Sequence, residues 1–251
     1  MVSWVDSHCH LHMASEPPEV LLDRAKAANV DLVVCPGTDA DSSRRAIDIA
    51  AAHPDRVVAA AGLHPHDSAK WSAEVDAIHE AAKTADAVGE CGLDYYRDLS
   101  PRDAQRVAFR AQLELAADLG KPVIVHCRDA FADVYEDLAN IELGDRVVLH
   151  CWTGGPKWTK RFRELGVVFS FAGPVTFPNG GTVRLGAEQA PPERTMVETD
   201  TPYLTPPPHR GLENEPRFVP LVGVALGEVW GIDVDEVAAL TTATARKVFG
   251  R

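Results

Sequence analysis

Short apolar runs alternate with amphipathic stretches along the whole chain, in a regular order. The apolar runs predict strands near 3–8, 31–36, 57–62, 86–90, 123–126, 146–150, 167–171 and 194–199. Between them the periodicity predicts helices such as Pro18–Ala28, Ser42–His53, Pro101–Leu119 and Pro156–Leu165. Pro or Ser stands near the first turn, where helix starts prefer it, and Gly120 and Gly166 are placed to cap two ends. Eight strands alternating with helices predict an α/β fold, a (β/α)₈ barrel whose active face lies at the C-terminal ends of the strands. A doubly wound open sheet is the rival architecture, but no Gly-x-Gly-x-x-Gly turn supports it.

Six polar residues sit where these runs end. Val123-Ile124-Val125 leads into His126, Val147-Val148-Leu149 into His150, and Ala87-Val88-Gly89 into Glu90. Thr195-Met196-Val197-Glu198 comes just before Asp200, and Val5-Asp6-Ser7 precedes the pair His8 and His10. Two residues apart on a strand, His8 and His10 point the same way. A lone histidine is most often solvated or satisfied in the core, but several polar groups at buried strand ends need a shared partner. A metal ion is the simplest one.

The 251 residues contain no long Pro/Gly/Ser stretch and no charge block, so one domain over 1–251 is expected. No repeated unit is visible. The chain lacks an N-terminal basic segment followed by an apolar core, and no apolar run approaches the ~18 residues of a membrane span, so a soluble cytoplasmic protein without membrane association is expected. Five cysteines with no Cys-x-x-Cys pair argue against a disulfide framework or a thiolate zinc site. Cys9, Cys91, Cys127 and Cys151 each follow a proposed ligand, so alternation should turn them outward to pack as small hydrophobes. The formal charge of −12 lowers the prospect of an extended polynucleotide track, although divalent ions can dominate the local field of a small site.

Read in order, the motifs are Asp6-Ser7-His8-Cys9-His10-Leu11, Gly62-Leu63-His64-Pro65-His66, Gly89-Glu90-Cys91-Gly92-Leu93-Asp94, His126-Cys127-Arg128-Asp129-Ala130, His150-Cys151-Trp152-Thr153-Gly154 and Glu198-Thr199-Asp200-Thr201-Pro202-Tyr203-Leu204. This ordered set resembles the signature of the TatD family of metal-dependent deoxyribonucleases, in the amidohydrolase superfamily. The resemblance implies a deformed TIM barrel with two divalent metal ions, Zn²⁺, Mn²⁺ or Mg²⁺. It would place His8, His10 and Asp200 on one ion, His126 and His150 on the other, and Glu90 between them. Imidazole nitrogen with carboxylate oxygen independently suits Zn²⁺, Mn²⁺, Fe²⁺, Co²⁺ or Ni²⁺. Asp200 is the expected general base as well as a ligand; alone, an Asp before Thr-Pro would be read as a turn cap. The resemblance implies that His64 contacts substrate phosphate, and Arg128 has a guanidinium suited to the same anion, with a surface ion pair to Asp129 or Asp133 as its plainer role. His66 and His12 remain open between site and loop roles. Tyr95, Tyr96, Trp152 and Tyr203 are either packing elements or platforms for an unpaired base.

The chain departs from the family pattern in having His12 where Asp is usual, Trp152 for Phe, and Pro178 and Leu212 where Lys is frequent. Three classes of function follow. The first is a divalent-metal-dependent phosphodiesterase, a 3′→5′ exonuclease on single-stranded DNA, as the resemblance implies. The second is a hydrolase of a small ester or amide, which the missing lysines favour. A non-catalytic binding module is the third, and the complete ligand set speaks against it. The sequence carries no signature of oligomeric state.

Overall fold

The computed structural model describes residues 2–250, so Met1 and Arg251 of the expected domain lie outside the described residues. Eight parallel strands follow one another in sequence order: β1 (Trp4–Asp6), β2 (Val30–Pro36), β3 (Val57–Ala61), β4 (Ala87–Asp94), β5 (Val123–Arg128), β6 (Val147–Leu149), β7 (Val168–Phe171) and β8 (Thr195–Val197). The helices packed around them are α1 (Pro18–Ala27), α2 (Ala40–Ala52), α3 (Trp71–Thr84), α4 (Arg102–Leu119), α5 (Phe131–Ala139), α6 (Pro156–Glu164), α7 (Gly181–Ala187), α8 (Val219–Trp230) and α9 (Val234–Phe249). Consecutive strand order with a helix after each strand is the expected (β/α)₈ barrel, not the open sheet.

The barrel closes just beyond the strands themselves. Ser7 N donates to Val197 O at 3.0 Å, Asp200 N to His8 O at 2.9 Å and His10 N to Thr201 O at 2.9 Å. The buried Asp6 carboxylate reinforces this seam, accepting from Thr199 N at 2.9 Å and Thr199 Oγ1 at 2.6 Å. Closure therefore falls at the C-terminal ends, among the proposed ligands. At the opposite end α9 covers the opening: Thr242 Oγ1 donates to Ser3 O and Thr244 Oγ1 to Glu193 O, while Phe249 joins the barrel interior.

That interior is an aliphatic plug of Val5, Leu32, Val34, Val58, Ala60, Ala87, Ile124, Val148, Val168 and Met196. A larger cluster fills the space between strands and helices. Two apolar faces per strand explain why the runs read as continuous rather than alternating.

Strand positions agree with the sequence reading to within a few residues, with two informative differences. β1 stops at Asp6 rather than 8, and β4 extends to Asp94 rather than 90. The second extension was hidden because Gly92 looks like a turn residue, although Gly89 already lies inside the expected run. Both glycines are needed inside β4 for close approach: at Gly92, with φ +141°, an added Cβ would lie 2.0 Å from His126 O. Gly92→Ala is therefore expected to cost about 3 kcal/mol or more of unfolding free energy, measured by urea titration. A variant as stable as the wild type would show that β4 and β5 can separate there.

The helix ends follow their caps. α2 begins two residues before the expected Ser42, because Asp39 accepts from Ser42 N at 2.7 Å while Ser42 Oγ accepts from Asp39 N at 2.9 Å. Gly120 and Gly166 both adopt positive φ after their helices, as expected of C-caps.

Candidate metal centre

Strand alternation aims the site. Ile124, Val148 and Met196 point into the plug, so His126, His150 and Glu198, each two residues on, point inward one layer higher. Two places break the simple count. In β4 the pairing shifts between Val88 and Cys91, and this irregularity turns Glu90 inward although Val88, of the same parity, packs outward. After β1 a bend at Ser7 re-phases the chain, so His8 and His10 face inward while Cys9 packs outward.

Glu90 is the centre of the arrangement. Its Oε2 lies 3.3 Å from His8 Nε2 and 3.6 Å from His10 Nε2, and these two nitrogens are also 3.7–3.9 Å from Asp200 Oδ1. Its Oε1 lies 2.9 Å from His150 Nε2, 3.0 Å from His126 Nδ1 and 3.3 Å from His64 Nε2. Each carboxylate oxygen thus serves one side of the site. The structure brings together all six expected ligands.

The donor set fits divalent cations. His8 Nε2 and His10 Nε2 face each other at 3.2 Å, as do His126 Nδ1 and His150 Nε2 at 3.3 Å. Facing lone pairs repel unless a proton or a cation lies between them. His8, His10, Glu90 and His150 are all buried. Burial would raise Glu90, but His150, His64 and His8 hold its carboxyl well below the usual range. Burial, with His8 beside it, pushes His10 well below its ordinary value. Burial also opposes charge on His150, yet Glu90 and Glu198 hold it well above. Protons therefore occupy the metal-free site, and a cation that enters displaces them.

Most ligand rings are held from behind. His10 Nδ1 lies 3.2 Å from Pro36 O, His126 Nε2 3.1 Å from Asp94 Oδ2, and His150 Nδ1 3.1 Å from Glu198 Oε1. Each such bond places the proton on the far nitrogen and leaves the near lone pair free for a metal. Sequence reading assigned no role to Asp94 or Glu198. The period of two in Glu90-Gly92-Asp94 and in Glu198-Asp200 was the available signal. Although burial opposes it, the bonds from His126 and His66 keep Asp94 far below the usual carboxylate range.

The remaining candidates separate clearly. His64 Nδ1 accepts from His66 N at 3.1 Å, so its proton sits on Nε2, and burial pushes its pKa down to about 4. It is a neutral donor inside the site. His66 lies 2.9 Å from Asp94 Oδ2 and belongs to the shell behind His126. His12 does not join the ligands: the tight turn Leu11–Met13 ends the alternation, and its Nδ1 meets Cys35 Sγ at 3.5 Å. Arg128 is exposed with its guanidinium 3.9 Å above the Tyr96 ring, and Asp133 pairs with Arg106 instead. Trp152 is packed among Phe131, Phe162 and Phe169, and Tyr95 donates to Asp133, whereas Tyr96 and Tyr203 are exposed. Asp200 closes its turn through backbone O, to Tyr203 N at 2.8 Å, and leaves its side chain free.

Cys9, Cys91 and Cys127 pack outward as expected, but Cys151 does not. The chain turns left-handed there, with φ +42°, which leaves the thiol half-buried and its N–H bonded to Glu198 Oε1 at 2.7 Å. Burial, then Asp200, raises its pKa well above the usual thiol range, so it stays protonated.

Residues 5–250 match the family model for TatD-related DNases. The chain belongs to that family. It is 35% identical to "uncharacterized metal-dependent hydrolase YabD" of Bacillus subtilis, over 97% of this chain and 98% of that one. To the "3′-5′ ssDNA/RNA exonuclease TatD" of Pectobacterium parmentieri it is also 35% identical, over 92% of each chain. The crystal structure of YjjV, a TatD homologue from Escherichia coli K12, superposes with a TM-score of 0.92 at 27% identity, covering 99% of this chain and 98% of that one. This protein is accordingly a TatD-type metal-dependent hydrolase on a TIM barrel. Among the described residues no helix is long and apolar enough to cross a membrane.

Proposed function

We propose that residues 1–251 form one hydrolase domain that trims single-stranded DNA from its 3′ end. His8, His10 and Asp200 hold one divalent ion, His126 and His150 the other, and Glu90 bridges them. The observation that carries this reading is the split of the two Glu90 oxygens between the two sets of donors. When bound, two divalent ions supply polarisation of a phosphoryl oxygen and acidify a nearby water. Nitrogen-rich donors favour Zn²⁺ or Mn²⁺ as residents, with Mg²⁺ supporting turnover. All five cysteines are free thiols, in keeping with a reducing cytoplasm.

The protein groups divide the remaining work. Asp200, whose side chain is 15% exposed against 3% for Glu90, lies on the solvent side and takes the proton of the attacking water. His64 Nε2–H donates to a phosphate oxygen. Arg128, braced on Tyr96, offers its fork to a neighbouring phosphate. The buried donors form the floor of the barrel mouth, which a chain end reaches more easily than an internal bond does.

With a formal charge of −12 and no lysine at 178 or 212, the salt dependence of kcat/KM on oligonucleotides should correspond to one or two phosphates. His64→Ala and Arg128→Ala should each slow a phosphodiester at least tenfold more than an uncharged ester. Equal losses on both substrates would remove them from phosphate recognition. The deciding test is a panel of 5′-labelled single-stranded DNA, closed circular single strands, RNA, small phosphodiesters and amides with Mg²⁺, Mn²⁺ or Zn²⁺. Stepwise trimming of linear strands is expected; efficient cutting of circles would exclude an end-dependent enzyme. Pro178 and Leu212, at positions where the family resemblance leads to an expectation of lysine, are exposed and uncharged, which favours a small ester or amide as the second reading. Cleavage of no phosphodiester would move the assignment there.

A further inference from the structure

Behind three of the four proposed histidine ligands stands an acceptor for the far ring nitrogen, but His8 Nδ1 is buried and without a hydrogen-bond partner. A second buried atom is also unpartnered: Glu198 Oε2. The two belong together. The His8 and His150 rings are stacked, with centroids 3.8 Å apart and planes 13° apart. Their Nε2 atoms both face Glu90, so both Nδ1 atoms lie on the opposite side, where Glu198 already binds His150 Nδ1. A donor atom from each of His8, His150 and Glu198 falls within one 4.8 Å group.

The Ser170 hydroxyl also interacts with the Glu198 carboxylate. Its Oγ lies 2.7 Å from Ser7 Oγ, with either hydroxyl able to donate, and Ser7 Oγ lies 3.0 Å from Val197 O. A carboxylate oxygen has two lone pairs, so a bond from Ser170 still leaves room for an N–H from His8. For Nε2 of His8 to offer a lone pair to a metal, its proton must sit on Nδ1, and a buried N–H needs an acceptor.

We infer that Glu198 is the shared positioning residue of both metal sites: Oε1 sets the tautomer of His150, and Oε2, directly or through one water, sets that of His8. This rests on the two-metal reading above. Glu198 does not itself ligate; its Oε1 is taken by His150 and the Cys151 N–H.

The isosteric variant Glu198→Gln can still accept from His150 and Cys151 through its carbonyl, which turns the amide NH₂ toward His8. The His8 proton must then move to Nε2 and block the lone pair. Calorimetric titration of the metal-free protein with Zn²⁺ should show both affinities reduced, by roughly tenfold or more. Asp94→Asn, which among the proposed ligands touches His126 alone, should reduce one. If Glu198→Gln also reduces only one, the inference is overturned. Long-range ¹H–¹⁵N spectra of histidine rings in the metal-free wild type give a test independent of any folding defect, with His8 assigned by its loss in His8→Gln. A proton on Nδ1 of His8, with or without a second on Nε2, supports the inference, and a bare Nδ1 overturns it. Wild type that binds fewer than two Zn²⁺ would strike the two-metal reading, and the ring spectra would still decide the role of Glu198.

Discussion

Glu90→Ala is expected to remove divalent metal and turnover together, with the largest loss of any single substitution in the site. Among the described residues its carboxylate is the one whose oxygens meet the inward-facing nitrogens of both sets of donors: Oε2 faces His8 and His10, and Oε1 faces His126 and His150. Removing it takes a charge from two cations at once and leaves four imidazoles and Asp200 to hold them. Those imidazoles would also lose the anion that reconciles them at 3.2–3.3 Å from one another. Neighbouring cations without a bridging anion repel strongly at low dielectric, so occupancy should fall well below two ions per chain. His126→Ala should behave differently, emptying one site preferentially because His8, His10 and Asp200 stay in place. Elemental analysis of purified variants, read beside turnover, separates the two patterns. Full metal content and activity in Glu90→Ala would show that Glu90 bridges nothing.

The proposed ligands stand out in the sequence because a buried strand end is a costly place for a polar group, so each demanded an explanation. What surrounds them could not be read as easily. Glu198 was counted as the last residue of a run, and its partner His150 lies 48 positions away. Asp94 was seen in a motif without a role, although it holds His126 from 32 positions away. Such partnerships are set by which strands become neighbours and in what register. The inward aim of Glu90 likewise depends on the shift in pairing between β4 and β5, which no period of two in the sequence contains. Cys151 shows the converse error: alternation was extended past the point where the backbone leaves the strand, through a left-handed residue at 151. At His12 the plainer loop reading is the one the tight turn at 11–13 supports.

Asp200→Asn should lower kcat by about 10²-fold or more while much of the metal remains, because Asn keeps an oxygen for an ion but cannot take a proton. The geometry favours a dual role. Asp200 stands 3.7–3.9 Å from the nitrogens of His10 and His8, yet it is the more solvent-facing of the two carboxylates beside them. Its left-handed backbone, φ +59°, projects the side chain out of line with β8, while its N–H is bonded to His8 O. Burial raises the Asp200 carboxyl to about 6, only partly offset by His150 and His8. Below that pH the metal-free site holds a proton where a cation would sit, so metal affinity should weaken as pH falls through about 6 in the wild type. A bound cation favours the carboxylate, so activity at saturating metal should persist to lower pH than affinity does. In Asp200→Asn the Asp200 contribution to the pH dependence of affinity should vanish, leaving only that of the histidines. The measurement is kcat at saturating Mn²⁺ together with metal affinity from pH 5 to 8. A variant that loses metal and kcat in equal proportion, and regains full rate when metal is forced in, would make Asp200 a ligand and leave the proton to another group.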